Sequence, residues 1–170
     1  DKPRGRSKSL VFSPVKEEAV AHGITVLQPE RARDEAFVEE LRTYNADVIV
    51  VVAFGQLLPA SIINMPRYGC INVHASLLPK YRGASPIQWA VIDGCEYSGV
   101  TTMKMDEGLD TGDMLHKLTC PILPDDTSAS LYDKLARLGP QALLNTLEQL
   151  ASGQTIAEKQ NDALASFCKN

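Results

Sequence analysis

Val48-Ile49-Val50-Val51-Val52-Ala53-Phe54 and, after a connector, Gly69-Cys70-Ile71-Asn72-Val73-His74-Ala75-Ser76-Leu77-Leu78-Pro79 decide how this chain folds. The first run is almost wholly aliphatic and β-branched. A strand this uniform is usually buried on both faces, as in a parallel sheet. The second run predicts another strand over Cys70 to Val73, with an amide and an imidazole two positions apart at its end. Alternation along a strand sends such residues to one face. Asn72 and His74 therefore point the same way if the strand continues that far. That pairing suits a site that must hold an oxygen and move a proton.

Working outward, Ser13-Pro14 reads as a helix start, a capping hydroxyl before proline at the first helical position. The helix is expected to reach about His22, with Gly23 ending it. Ile24 to Leu27 reads as an edge strand. Asp34 is placed to cap a helix over Glu35 to Tyr44, where Phe37, Leu41 and Tyr44 recur at helical spacing. Residues 55–63 read as a turn and short helix. Beyond the Asn–His pair, Pro79-Lys80-Tyr81-Arg82-Gly83 reads as a surface turn. Ser85-Pro86 repeats the cap-plus-proline start for a helix over Ile87 to Ile92, ended by Asp93-Gly94. Gly99 to Met105 predicts a strand, Glu107 to Gly112 a loop, and Met114 to Cys120 the last strand.

Ser130 with Asp133 resembles a capping box ahead of a helix with Leu131, Leu135 and Leu138 on one face. Gly139-Pro140 is expected to break or kink this run before Ala142 to Leu150 continues it. The tail from Gly153 is polar and reads as a return hairpin or the start of a linker. Strands alternating with helices argue for one layered α/β domain, with a mostly parallel sheet and helices on both faces. Its core is expected over residues 17–153. Residues 1–16 form a loop of the same domain, and 154–170 a C-terminal extension.

The composition fits an ordinary globule: 170 residues, 44% hydrophobic and 22% charged, bury one core. No run approaches the length of a membrane span, and the N-terminus carries no signal-peptide core. No membrane partner is expected. Cys70, Cys95, Cys120 and Cys168 form no close pair and no ligand spacing. Free thiols are expected, in a reducing compartment such as the cytoplasm.

The formal charge of −4 hides an asymmetry: Lys2, Arg4, Arg6, Lys8 and Lys16 face Asp1 alone in residues 1–16. Glycine, serine and proline separate these cations, so a loop is expected rather than a helix face. It is either a solvated loop or a phosphate-contacting arm for nucleic acid. The chain also opens in this loop with no apolar strand ahead of it. For an α/β domain that implies a missing N-terminal βα unit, in a fragment or a processed end.

The chemistry starts from the Asn–His pair. Asn72 offers an amide N–H to a developing oxyanion, and His74 exchanges a proton near neutral pH. A carboxylate is expected nearby. Asp106, Asp110 and Asp113 share one loop, and Asp110, between Leu109 and Thr111-Gly112, is best placed. Asp106 and Asp113 read as solvated or capping groups. A structural histidine at a strand end is the plainer alternative. No serine-hydrolase, P-loop, zinc or dinucleotide fingerprint is present. His22 and His116 lack partners at ligand spacing, so no metal is expected. Phe54-Gly55-Gln56-Leu57-Leu58 can line an apolar slot whose backbone reads a flat heterocycle. Ordinary core plus a connecting turn explains Leu57 and Leu58 equally well.

Together, the run from Val51 to Pro59, the run from Gly69 to Gln88, and Gly99-Val100-Thr101-Thr102-Met103-Lys104-Met105-Asp106-Glu107-Gly108-Leu109-Asp110-Thr111-Gly112-Asp113-Met114-Leu115 resemble the formyltetrahydrofolate-dependent formyltransferase family. The resemblance covers the chain to about Gly153. It implies a Rossmann-like formyltransferase fold, here without its N-terminal βα unit. It also implies a C-terminal β-barrel domain beyond residues 154–170. By motif, Asn72, His74 and Asp110 would be the catalytic trio, with Asp110 orienting His74 and relaying protons. The donor would be 10-formyltetrahydrofolate, with no metal. Its pocket would fall on Phe54, Gly55, Gln56, Leu57 and Leu58, on Ser76, Leu77, Leu78 and Pro79, and on Met105, Asp106, Glu107, Gly108 and Leu109.

The Met105–Leu115 region and the basic loop favour the branch whose acceptor is the α-amino group of methionyl initiator tRNA. Lys2, Arg4, Arg6 and Lys8 would then contact the acceptor stem, Arg6 reading a base. Lys80 and Arg82 would hold terminal phosphates. A monomer is expected. Alternatives are a relative acting on a nucleotide-sugar or glycinamide ribonucleotide amine, a formyltetrahydrofolate hydrolase, and a non-catalytic folate- or RNA-binding protein.

Overall fold

The computed structural model describes Lys2, Pro3 and residues 10–168, and the chain divides into two compact units, Asp1–Arg31 and Ala32–Asn170. In the first unit β1 (Lys2–Pro3) pairs antiparallel with β2 (Leu10–Val11). Helix α1 (Pro14–Ala21) follows, where Ser13 caps by accepting from the Lys16 amide. Gly23 ends the helix with φ +66°, a left-handed conformation that suits glycine. Residues 14–16 of the expected basic loop are therefore helical. Arg4, Arg6 and Lys8 lie outside the described residues. Ile24 to Leu27 forms no strand. An apolar run becomes a strand only with a ladder to join, and none pairs with it among the described residues.

The second unit contains α2 (Glu35–Thr43), β3 (Ile49–Val51), α3 (Ala60–Ile63), β4 (Cys70–His74), α4 (Pro86–Ile92), β5 (Tyr97–Lys104), β6 (Met114–Pro121) and α5 (Ser128–Ser152). A four-stranded sheet runs in the order β3-β4-β5-β6. Only β3 and β4 are parallel, with Val51 beside Asn72. The β4–β5 and β5–β6 pairs are antiparallel. The sheet is therefore mixed rather than mostly parallel. The loop between β5 and β6 returns the chain directly to its neighbour, whereas a parallel partner needs a longer crossover.

Burial also departs from the sequence pattern. Among the described residues strand β3, the most aliphatic, pairs with β4 alone, and its Val50 is exposed. Central β5 is buried on both faces over residues 98–103 although both its partners are antiparallel. Position in the sheet decides burial here, not strand direction.

Helix α5 packs on β4, β5 and β6. Its Leu131, Leu135 and Ala142 form a core with Val100 and Ala90, and Val73 packs against it. Cys70 alternates to the other face, where it packs with Ile62 of α3 and Val38 of α2. Asn72 and His74 share that face with Cys70.

The start of α5 lies three residues earlier than the Ser130 box implied. Thr127 is the cap, and Ser130 supplies the reciprocal bond to the Thr127 backbone. Nor does Gly139-Pro140 end the helix, which is continuous from Ser128 to Ser152. Burial of its Leu131–Thr146 face against the sheet outweighs one missing N–H.

Candidate active site

Strand β4 places His74 at its last position, 7% exposed. The ring is oriented by the backbone: Nε2 lies 2.8 Å from the Tyr81 carbonyl oxygen. A carbonyl only accepts, so Nε2 carries the proton and Nδ1 is the ring's remaining edge. Asp110 Oδ2 stands 3.7 Å from Nδ1, within ion-pair range but beyond a hydrogen bond. The same carboxylate oxygen accepts from the Gly83 amide at 2.7 Å. Asn72 is half-buried between Val51 and Met103, and its amide has no hydrogen-bond partner among the described residues. His74 and Asp110 are thus brought together, on the sheet face that Asn72 shares.

Two left-handed residues shape this arrangement, Tyr81 at φ +60° and Asp110 at φ +54°. The Asp110 loop closes on itself: Asp106 accepts from the Gly108 amide at 3.0 Å and from Thr111 Oγ1 at 2.6 Å. Asp106 is therefore a loop-forming group. Gly112 is required there, because a Cβ would lie 1.8 Å from the Lys104 carbonyl oxygen.

Residues 76–79 turn inward. Ser76 is buried, donating to the Lys80 carbonyl while its own carbonyl accepts from Thr101. Leu78 is buried with Met103 and Met114. Leu77 lies against Gly99, where a Cβ would come within 2.6 Å of it. Side chains 76–78 thus build the turn. Phe54, Leu57 and Leu109 are instead exposed apolar groups on loops. Leu58 and Met105, at the roots of those two loops, pack on one core cluster. Gln56 is tied down, its Oε1 accepting from the Ala32 amide at 2.9 Å.

Arg82 does not sit on a surface turn. It is 3% exposed, with Nε donating to Gln160 Oε1 and a terminal nitrogen to Asp162 Oδ1. Its guanidinium is engaged inside the fold rather than offered to phosphate. Lys80 is exposed and borders an open cleft lined with Tyr81, Trp89, Asp93, Ser166 and Phe167. A second open cleft lies between α4 and α5 at Ile87, Gln88, Ser128 and Tyr132. Neither includes Asn72 or the Phe54–Leu58 loop.

Sequence reasoning missed Gln160 and the tail around it. Residues 158–168 pack back on the fold: Glu158 bridges to Met114, Phe167 to Arg82, and Gln160 is 5% exposed. The signal was a glutamine in a polar stretch, indistinguishable from solvated glutamines nearby.

One face of the α/β sheet thus carries the Asn72 amide and the His74 imidazole, with the Asp110 carboxylate of the β5–β6 loop beside them, and the Formyl transferase family model matches residues 1–147. The chain belongs to that family. It is 76% identical over 169 residues to the methionyl-tRNA formyltransferase of Lachnospira eligens, covering 99% of this chain and 54% of that protein. The methionyl-tRNA formyltransferase of Agathobacter rectalis is 57% identical, at 98% and 54% coverage. The chain thus spans about half the length of the curated relatives it matches. Among solved structures, a formyltransferase from Anoxybacillus kamchatkensis, in complex with tetrahydrofolate and a UDP-linked formamido sugar, superposes with a TM-score of 0.73 at 21% identity, covering 94% of this chain and 82% of that one.

Proposed function

We propose that this chain carries the catalytic site of a methionyl-tRNA formyltransferase. Such an enzyme moves the formyl group of 10-formyltetrahydrofolate to the α-amino group of methionine on initiator tRNA. The observation behind the chemistry is the His74–Asp110 pair, 3.7 Å apart on the face that Asn72 shares. The choice of acceptor rests on the 76% identity to the Lachnospira enzyme.

Transfer forms a bond from the amine nitrogen to the formyl carbon and breaks the bond from that carbon to N10. Negative charge gathers on the formyl oxygen between those events. The uncommitted Asn72 amide donates to it, and a donor aimed at such charge contributes about 3–4 kcal/mol. The amine releases a proton, and N10 takes one as it leaves. His74 exchanges it at Nδ1, because Nε2 is held by Tyr81. Asp110 beside Nδ1 orients the ring that assists the oxyanion, and relays the proton leaving the amine.

The folate lies against the Phe54–Leu58 and Met105–Leu109 loops. Support comes from their exposed Phe54, Leu57 and Leu109 and from the shared core under Leu58 and Met105. The tetrahydrofolate-bound Anoxybacillus relative shares the fold. The backbone of Ser76 to Pro79 walls the pocket. Lys80, beside Trp89 and Phe167, suits the terminal nucleotides of the acceptor, since a cation next to aromatic faces favours stacked bases and phosphate. Lys2, Arg4, Arg6 and Lys8 contact the acceptor stem. Arg82 has no part in that contact.

The test is formyl transfer to charged initiator tRNA by the full-length gene product. His74→Ala and Asn72→Ala are expected to lower kcat by about 100-fold or more, with folate binding retained. Undiminished transfer by His74→Ala would overturn the mechanism. Formate release without any amine acceptor would point to a hydrolase.

A further inference from the structure

We infer that Gln160 is a positioning residue for this site, acting with Arg82 to hold Asp110 against His74. The inference rests on the formyl-transfer reading above. The turn Tyr81-Arg82-Gly83 touches both titratable groups. The Tyr81 carbonyl accepts from His74 Nε2, and the Gly83 amide donates to the Asp110 carboxylate. Between them, Arg82 turns inward and donates through Nε to Gln160 Oε1 at 3.0 Å. Gln160 Nε2 then donates to the Asp110 carbonyl and the Gly112 carbonyl, each at 2.8 Å. Asp110 is thereby gripped at both ends, its carboxylate by Gly83 and its carbonyl by Gln160.

That grip answers a specific need. Asp110 has φ +54°, a left-handed conformation that few residues other than glycine adopt. Gly112 must pass within reach of the Lys104 backbone two residues later. An amide NH2 has two hydrogens, and both are spent on the carbonyls that bracket this bend. The opposite end of the amide accepts from Arg82, which fixes which way the group points. Arg82 is itself anchored, donating to Asp162 and bridged to Phe167 in the tail. No ion pair or apolar side chain at position 160 reproduces that combination of one acceptor toward Arg82 and two donors toward the bend. The tail thus reaches back through Gln160 to set the distance between the two proton-handling groups.

Two substitutions separate positioning from bulk stability. Gln160→Met keeps the volume and removes the amide. Gln160→Glu keeps an acceptor for Arg82 and removes both donors. In the full-length gene product both are expected to lower kcat by about 10- to 100-fold, the scale of a small misplacement, with KM for both substrates held. The Gly83 amide resonance is also expected to move toward its position in Asp110→Asn. A loss of thermal stability alone, with kcat and the Gly83 resonance unchanged in both variants at permissive temperature, would overturn the inference. If the unmutated protein transfers no formyl group while the Gly83 resonance still moves, the formyl-transfer reading fails and the grip on Asp110 stands.

Discussion

At Tyr81, Asp110 and Ala53 the backbone takes left-handed φ values of +60°, +54° and +45° without glycine. The departure costs about 1–2 kcal/mol at Tyr81 and Ala53, and less at Asp110, since aspartate is among the residues that tolerate this region. Tyr81 and Asp110 supply the carbonyl and carboxylate that bracket His74, so strain is concentrated where it sets geometry. Gly112 shows the converse. Gly112→Ala drives a methyl into the Lys104 carbonyl, and urea unfolding is expected to show a loss of about 1–3 kcal/mol. Cys70 makes a second prediction. Burial pushes its thiol up to about 11, and the thiolate is the reactive form. A thiol reagent at pH 8 is expected to miss Cys70 in the native protein and label it on unfolding.

The elements show where local pattern yields to packing. Helix α5 runs through Pro140 because its apolar face is shared with three strands. At Gly139 a Cβ would meet Val73 at an ordinary 3.6 Å. Gly139→Ala is expected to stabilise the protein by up to about 1 kcal/mol through helix propensity, read as a higher urea midpoint. At the helix start, Asp126 accepts from Lys134, the Leu123 amide and Ser130, which together hold its carboxyl at about 2, chiefly through Lys134. Its folded value lies below the unfolded one, so its contribution is present above about pH 4 and lost as pH falls through about 2. The stability gap between the native protein and Asp126→Asn is expected to close over that window. A gap unchanged down to pH 2 would contradict the assignment. These details were only partly legible: the helices and strands from α2 onward followed from periodicity, but Ile24 to Leu27 read as a strand that does not form, and Ser130 read as a cap because Thr127 and Ser130 carry the same signal three residues apart.

For the molecule, charge is the quantity to test. The cations of residues 1–16 oppose a net acidic remainder. Neutralising Lys2, Arg4, Arg6 and Lys8 together is expected to raise KM for charged tRNA, flatten its salt dependence and leave folate binding alone. Unchanged tRNA kinetics would remove these cations from the interface.

The sequence by itself determined the order of elements from α2 to β6, the shared face of Asn72 and His74, and the aspartate loop that supplies Asp110. Those are matters of period and parity, carried by neighbours in the chain. Only the tertiary structure decided that the sheet is mixed, that Arg82 turns inward, and that Gln160 grips Asp110 from 50 residues away. Each of these depends on which strand or tail segment lies alongside another. A side chain's local pattern does not encode its distant partner, so burial and hydrogen bonding across the fold assigned those roles.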